Sequence, residues 1–229
     1  MGLEDKLYPL LRLYEASPQP VKSLVGSAYR KMPVSLRLGA SYKRFREEAE
    51  ASESWSADEI ADYQFRELRN TLTTALENCS YYRDLYKKHS FALSDFNSPG
   101  DLTKLPTISK PDVINHREDM ANASIPRKRR LYMTTGGSTG VPVGFYLEKG
   151  IGRPKEQAYL EAMWRRAGFF DGARLAVIRG QVTDRNGKKI HYQDATRDWL
   201  ILSSYHLTQA RIPEYLERLN NFAPECAPG

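Results

Sequence analysis

The sequence has few of the features that mark membrane-spanning, secreted or metal-binding proteins. No apolar run approaches the ~20 residues that a transmembrane helix needs. The N-terminus lacks the compact apolar stretch of a signal peptide, because Glu4, Asp5 and Lys6 interrupt it. The two cysteines, Cys79 and Cys226, are too few for a disulfide framework and lack metal-ligand spacing. We therefore predict a cytoplasmic protein and assign no metal-binding residues.

The charge is positive, but nothing in the sequence identifies a nucleic acid as the partner. The 34 lysines and arginines outnumber the 28 acidic residues, which gives a formal net charge of +6. Such a balance suits an anionic ligand or surface. Because no DNA- or RNA-recognition motif and no zinc-finger spacing occur, we predict no nucleic-acid binding. Hydrophobic residues make up 41% of the chain and aromatic residues 11%, which suffices for a packed core.

Composition divides the chain near residue 50. We predict a basic, helical extension over residues 1–50 and a second region over residues 51–229. Within the extension, apolar residues recur at helical spacing at Val21, Leu24, Val25, Ala28 and Tyr29. A further helix is predicted over residues 36–50. Basic amphipathic helices can lie on a membrane surface. Packing against a domain or a partner subunit is the alternative, and both interpretations stay open.

The clearest helix signal in the chain begins at Ser56. Ser56 and Glu59 have the spacing of a capping box, in which each side chain binds the other's backbone amide. The apolar face predicted behind it consists of Ile60, Phe65, Leu68, Leu72, Ala75, Leu76 and Cys79. Cys79 is therefore predicted to be a core residue and not a nucleophile. A second helix with Tyr82, Leu85 and Tyr86 inside should follow, and Ser109 is predicted to be an N-cap.

The second half of the chain alternates between strand and helix patterns. Strands are predicted around residues 131–133, 143–147, 173–180 and 199–202, and Asn186-Gly187 is typical of a hairpin turn. A helix should end near Gly168, and the last helix, over 208–222, should bury Tyr215, Leu216 and Leu219. This order predicts an α/β fold in which a helical N-terminal region precedes a mixed sheet.

One loop has an unusual composition, since residues 134–140 are all Gly, Ser or Thr. Strand-forming residues flank it, so the pattern predicts a strand, a loop of small residues and a second strand. A loop without bulky side chains can bring its backbone N–H groups and hydroxyls close to a phosphate. It is not a Walker loop, because no lysine follows the last glycine. A plain hairpin tip is the alternative, since Gly, Ser and Thr are ordinary loop residues.

The order of residues 134–142, Thr-Thr-Gly-Gly-Ser-Thr-Gly-Val-Pro, resembles the phosphate loop of adenylate-forming enzymes. Val143 and Gly144 stand where most acyl-activating members have Lys-Gly. In this the chain is similar to the phenylacetate–coenzyme A ligase branch and to CapK-like proteins of capsular polysaccharide biosynthesis. Residues 101–110 resemble that branch's Leu-x-x-Leu-Pro-x-x-Thr-Lys segment, and residues 78–83 resemble its helix end followed by Tyr-Arg.

The resemblance implies an enzyme that activates a carboxylate with ATP and Mg²⁺, with coenzyme A as a candidate acceptor. The phosphate-binding residues that it implies are Thr134, Thr135, Gly136, Gly137, Ser138, Thr139 and Gly140. The family's adenine-binding segment, ribose-binding Asp and catalytic Lys cannot be placed in this sequence. We therefore expect the N-terminal portion of a longer ligase-like protein, with an incomplete adenylate-forming large domain that is inactive by itself.

Two further hypotheses complete the sequence-based picture. His206 follows a predicted strand end, where α/β proteins often bind ligands, and is a candidate for the substrate side of the site. The alternative is that His206 only makes a structural hydrogen bond. In function, the alternative to a ligase is a non-catalytic protein that retains the fold as a partner in a polysaccharide pathway, with peripheral contact at the inner membrane face. The carboxylate substrate and the oligomeric state stay open.

Overall fold

The computed structural model describes residues 2, 3, 7, 10–136, 140–181, 183 and 189–227. The helices are α1 (Leu11–Ala16), α2 (Gln19–Arg30), α3 (Val34–Leu38), α4 (Ala40–Ser52), α5 (Ala57–Asn78), α6 (Ser80–Lys88), α7 (Lys110–Asn115), α8 (Arg117–Met120), α9 (Gly152–Arg165) and α10 (Ile212–Phe222). The strands are β1 (Arg130–Thr134), β2 (Gly144–Glu148), β3 (Leu175–Arg179), β4 (His191–Asp194) and β5 (Trp199–Ser203). Short 3₁₀ turns occur at Leu93–Asp95, Pro99–Lys104, Arg127–Arg129, Ser204–His206 and Gln209–Arg211.

These residues form two compact units. One comprises Met1–Ala49 with Pro154–Gly229, and the other comprises Glu50–Arg153. The division into an extension (1–50) and a partial adenylation-like domain (51–229) stays a prediction. Among the helices of the described ranges, none combines the length and the apolar character that crossing a membrane requires.

The unit Glu50–Arg153 begins with the predicted capping box. Ser56 Oγ accepts a hydrogen bond from the Glu59 amide at 3.2 Å, and Glu59 Oε2 accepts one from the Ser56 amide at 2.8 Å. Helices α5 and α6 and the chain after them enclose a core of Leu72, Tyr86, Phe91 and Phe96. The partly buried residues that pack on this core are Phe65, Leu68, Leu76, Tyr82, Leu85, Leu93 and Leu105. Both helices therefore present their predicted apolar faces to it.

Two details of this unit differ from the prediction. Ile60 is 40% exposed, because it lies in the first turn of α5, beyond the core. Ser109 is the N-cap of α7, as predicted, but the side chain that accepts the hydrogen bonds at this helix end is that of Asp112. Its carboxylate accepts hydrogen bonds from the Ser109 amide at 2.8 Å and from the Ser109 hydroxyl at 2.5 Å. A negative side chain in the first turn also complements the helix dipole.

The other unit contains a three-stranded mixed sheet in the order β3-β5-β4. Strand β5 pairs in parallel with β3 and antiparallel with β4. The sheet and α10 bury one apolar cluster, which consists of Ala176, Ile190, Leu200, Leu202, Tyr215 and Phe222. Leu219 packs against this cluster, but Leu216 is 53% exposed and the prediction that it is buried was wrong. Helix α10 begins at Ile212 after a 3₁₀ turn, and its core contact is completed by Phe222.

The sequence pattern did not identify β4, because its sequence His-Tyr-Gln-Asp lacks the alternation of a half-buried strand. The predicted hairpin turn at Asn186-Gly187 lies outside the described residues. The segment predicted as one helix over residues 36–50 is two helices, α3 and α4, which meet at Gly39 with φ of 85°. A left-handed backbone conformation interrupts the helix there, and glycine adopts this conformation without a steric penalty.

A buried polar network connects α4 to α9. The Tyr42 hydroxyl donates to Glu161, and Gln157 Nε2 donates to Glu161 Oε1 at 2.7 Å. Arg165 donates to Glu161 Oε2 at 3.3 Å and to Asp171 Oδ1 at 3.0 Å. Tyr42 is 1% exposed and Glu161 7% exposed, so these hydrogen bonds form away from water. The Glu161 carboxylate therefore accepts three donors in compensation for its burial.

Candidate functional site

The candidate site is the connection between β1 and β2, whose antiparallel pairing runs from Arg130 with Glu148 to Thr134 with Gly144. Beyond the last pair, the Thr135 amide donates to the Val143 carbonyl at 2.9 Å, and the Val143 amide donates to Thr135 Oγ1 at 3.0 Å. These two bonds close the base of the loop. The predicted arrangement of strand, small-residue loop and strand is therefore present.

The structure describes four of the seven predicted phosphate-binding residues. Thr134, Thr135, Gly136 and Gly140 are all exposed, and Gly140 has φ of 87°. A Cβ atom added to Gly136 would meet no atom of the described, non-adjacent residues within 4 Å. The remaining predicted residues, Gly137, Ser138 and Thr139, lie outside the described residues.

Thr135 has a role that the sequence pattern did not indicate. Its hydroxyl oxygen accepts a hydrogen bond from the Val143 amide, so this side chain helps to hold the two strands together. A hydroxyl group has one hydrogen to donate as well as lone pairs that accept. The Thr135 hydrogen thus stays available for a phosphate oxygen while the oxygen atom fixes the loop base.

An aromatic and charged cluster supports one face of the hairpin. Tyr132 and Tyr146 face each other across the strands with ring centroids 5.8 Å apart. The Arg117 guanidinium lies over both rings, at 5.0 Å from the first and 5.7 Å from the second. The Tyr146 hydroxyl donates to Glu118, and this bond raises the pKa of Tyr146 and lowers the pKa of Glu118. A Cβ on Gly144 would collide with the Tyr132 ring.

Sequence reasoning missed this cluster. The signal that could have found part of it is the aromatic pair: in a hairpin closed by residues 134–144, Tyr132 and Tyr146 must be cross-strand neighbours. No comparable signal exists for Arg117, because its position depends on how α7 and α8 pack beside the hairpin. The same contact explains why position 144 is glycine, since the Tyr132 ring occupies the space where a side chain would lie.

Residues 127–130, Arg-Lys-Arg-Arg, form a basic run just before β1. Arg129 forms an ion pair with Glu148 at 2.7 Å. Arg130 donates to the carbonyl oxygens of Asn122 at 2.8 Å and Ile125 at 2.9 Å. Both arginines therefore fix the chain where it enters β1. Their charges also make the electrostatic potential near the hairpin more positive.

A cleft of about 340 Å³ lies beside the hairpin, within the unit Glu50–Arg153. Its wall includes Cys79, Arg117, Arg130, Tyr146 and Glu148. Burial raises the pKa of the Cys79 thiol. A protonated thiol is a poor nucleophile, which agrees with the prediction that Cys79 is a core residue.

His206 lies in the 3₁₀ turn that follows β5, at the carboxyl end of the parallel β3-β5 pair. Its Nδ1 atom is 2.9 Å from Ser203 Oγ. Ser203 is fully buried, and its carbonyl oxygen accepts a hydrogen bond from the Tyr215 hydroxyl at 2.6 Å. The imidazole is thus held by a rigid neighbour and is partly exposed. His206 belongs to the compact unit that does not contain the hairpin.

The described residues offer no cluster of three His, Cys, Asp or Glu side chains that could hold a metal ion. The donors at the hairpin are amides and hydroxyls, which suit phosphate oxygens better than a divalent cation.

Comparisons with known proteins bear on this hairpin and on the fold. No family model matches the chain. Over 221 residues the chain is 25% identical to Protein CapK of Staphylococcus aureus, an alignment that covers 95% of this chain and 47% of the relative. This similarity confirms the predicted resemblance to CapK-like proteins.

Two solved structures of 2-hydroxyisobutyryl-CoA ligase are similar in fold, each at 15% sequence identity. The open conformation, in complex with 2-HIB-AMP and CoA, has a TM-score of 0.52 and is matched over 77% of this chain and 41% of the ligase. The postadenylation state, in complex with 2-HIB-AMP, has a TM-score of 0.50 and is matched over 75% and 36%. The predicted fold class, an incomplete adenylate-forming-type α/β fold, is confirmed. The chain spans less than half the length of each relative.

Proposed function

We propose that the β1-β2 loop binds the phosphates of ATP in an adenylate-forming, carboxylate-activating reaction. The observation that carries this proposal is the closed loop base, where Thr135 and Val143 exchange two hydrogen bonds beside the exposed residues Gly136 and Gly140. The proposed phosphate ligands are Thr134, Thr135, Gly136, Gly137, Ser138, Thr139 and Gly140. The similarity to Protein CapK and to a CoA ligase supports the same interpretation.

In this reaction a carboxylate oxygen forms a bond to the α-phosphorus of ATP. The bond from that phosphorus to the oxygen that bridges to the β-phosphate breaks, and pyrophosphate leaves. The loop would hold the β- and γ-phosphates as charge accumulates on the leaving group. Amide N–H groups and the Thr135 hydrogen can donate to the phosphate oxygens, and Mg²⁺ would neutralise much of their charge.

The finer assignments are proposals as well. His206 is proposed to face the carboxylate substrate, because it lies at the carboxyl end of two parallel strands. Coenzyme A is a candidate acceptor, and a place in capsular polysaccharide biosynthesis in the cytoplasm is proposed from the similarity to Protein CapK. Since the chain spans less than half of that relative, the complete reaction is proposed only for the whole protein.

A second candidate is a non-catalytic partner protein that retains the fold and contacts the inner membrane face. The observation that favours it is the set of apolar residues exposed in the N-terminal helices, among them Leu13, Leu24 and Leu36. Phosphate binding discriminates between the two candidates, because a partner protein without chemistry does not need a functional loop.

The test is calorimetric titration of the chain with Mg-ATP and, separately, with tripolyphosphate, which needs no adenine pocket. Gly136→Val adds bulk to the loop without touching neighbouring atoms, since a Cβ there has open space. We expect Gly136→Val to weaken binding of both ligands about tenfold or more, by excluding phosphate from the backbone amides.

The matched control is Gly100→Val, in a turn of the same unit where a Cβ would meet only Ser98 Oγ at 3.6 Å. It should leave both affinities unchanged. Failure of the native chain to bind tripolyphosphate, or equal binding by Gly136→Val, would refute the phosphate loop and leave the partner-protein candidate.

A further inference from the structure

Helix α2 packs against its unit through one side that contains a glycine. A Cβ on Gly26 would collide with the carbonyl oxygen of Ala195, so the helix backbone is in close contact there. On the same side the Arg30 guanidinium donates to that carbonyl oxygen. Gly26 is buried, and Lys22, Tyr29 and Arg30 are half-buried. The packing side of α2 is therefore defined by these four positions.

The apolar stripe predicted for this helix lies on another side. Val21 is 45% exposed, Leu24 74% and Val25 45%. With about 100° of rotation per residue, the centre of this stripe is roughly 130° around the helix from the packing side. An amphipathic helix of a globular domain normally turns its apolar face to the core. In α2 the apolar face is instead exposed to solvent.

The other N-terminal helices of the same unit expose apolar residues as well. Leu10 and Leu13, in and before α1, are 55% and 71% exposed, and Leu36 in α3 is 61% exposed. We call Leu10, Leu13, Val21, Leu24, Val25 and Leu36 the N-terminal apolar set. Scattered exposed apolar residues are ordinary, but six within 27 positions of a sequence are not.

The charges around this set have one predominant sign. Residues 10–39 include five lysines and arginines and a single acidic residue. On a helical projection, exposed Lys31 lies beside Leu24, and half-buried Lys22 lies between Val25 and the packing side. Lysines in this arrangement can extend their ammonium groups to phosphate headgroups while the apolar residues enter the acyl boundary.

We propose that the N-terminal apolar set binds the surface of a bilayer that contains anionic phospholipids. The apolar stripe supplies the insertion, and the bordering lysines supply the attraction to headgroup phosphates. A protein partner would need acidic groups at the positions of these lysines. An anionic bilayer carries negatively charged headgroups over its whole surface. This surface is separate from the phosphate loop, and the inference rests on the membrane contact of the second candidate function, for which it specifies the lipid.

The experiment is co-sedimentation of the full chain with vesicles of phosphatidylcholine alone and of phosphatidylcholine mixed with phosphatidylglycerol. We expect binding to the anionic vesicles only, with a partition coefficient that falls as salt rises. The triple variant Val21→Ser, Leu24→Ser, Val25→Ser should lower the partition coefficient about tenfold or more. Lys31→Gln should lower it about fivefold.

Matched controls come from exposed positions elsewhere in the chain. The apolar control is Leu102→Ser, Leu207→Ser, Leu216→Ser, at residues that are 45%, 46% and 53% exposed. The charge control is Lys88→Gln, an exposed lysine in the last turn of α6. Both controls should bind the anionic vesicles as the native chain does.

Three outcomes would overturn the proposal. In the first, the native chain does not sediment with anionic vesicles. In the second, the serine variant binds these vesicles as well as the native chain does. In the third, light scattering detects a self-association that the serine variant abolishes and vesicles do not compete with, so that the surface joins two copies of the chain. Circular dichroism of each variant distinguishes lost binding from lost folding.

Discussion

The buried pair formed by Tyr42 and Glu161 provides a quantitative test of how α4 is held in its unit. We consider Tyr42→Phe, Glu161→Leu and the double variant. In Glu161→Leu, the Tyr42 hydroxyl and Gln157 lose the carboxylate that accepts their hydrogen bonds, while Arg165 keeps Asp171 at 3.0 Å. In Tyr42→Phe, the carboxylate keeps two of its three donors.

The asymmetry between the two single variants sets the expected magnitudes. A buried hydroxyl hydrogen without an acceptor, together with the lost charged acceptor, should make Glu161→Leu cost about 3 kcal/mol. Tyr42→Phe removes one donor of three and should cost about 1.5 kcal/mol. The double variant has no orphaned hydroxyl and should cost about 3 kcal/mol, which corresponds to a coupling energy of about 1.5 kcal/mol.

Urea denaturation followed by circular dichroism would measure the four free energies of unfolding. Lys43→Gln is the control, because its ion pair with Glu47 is 3.7 Å long and both side chains are more than 60% exposed. It should cost less than about 0.5 kcal/mol. Additive costs for Tyr42→Phe and Glu161→Leu would contradict the contact between α4 and α9.

The same pair predicts a specific dependence on pH. Burial, followed by the hydrogen bond to Glu161, raises the pKa of Tyr42 to about 12 from the ordinary 10. A group whose pKa is raised by folding contributes stability that is complete below its unfolded pKa. That contribution should therefore be lost between pH 10 and 12. The difference in unfolding free energy between the native chain and Tyr42→Phe should narrow over this interval.

Three more predictions concern single features. Ser56→Ala should lower the free energy of unfolding by about 1 kcal/mol in urea denaturation, because it removes the hydroxyl half of the capping box. An undiminished stability would contradict the cap. Gly144→Ala should cost about 1–3 kcal/mol in the same assay by displacing the Tyr132 ring, and Tyr132→Ala should restore most of it. A lack of rescue would refute the proposed collision. Burial lowers the pKa of His191, so stability should fall as pH decreases below about 6.5, where the unfolded chain takes up the proton. Replacement with glutamine should flatten that dependence.

Local signals in the sequence identified the elements that depend on neighbouring residues only. The capping box at Ser56 and the loop of residues 134–140 are short patterns whose chemistry is complete within a few positions. The apolar repeat behind Ser56 and the alternation of strands and helices were sufficient for the fold class. Burial was predicted wrongly at Ile60 and Leu216. The helices there form as the local pattern predicts, but burial depends on which other elements pack beside them.

The tertiary structure decided which side of each amphipathic segment faces the core. The apolar stripe of α2 correctly predicted a helix. In the fold, however, Gly26 packs against Ala195 and Leu24 is exposed. The partner of Tyr42, 119 residues away in sequence, and the stacking of Arg117 on the hairpin have no sequence signal. The physical reason is common to all of these. Helix propensity, capping and turn chemistry act over a few residues, whereas burial and charge pairing depend on groups that only the folded chain brings together.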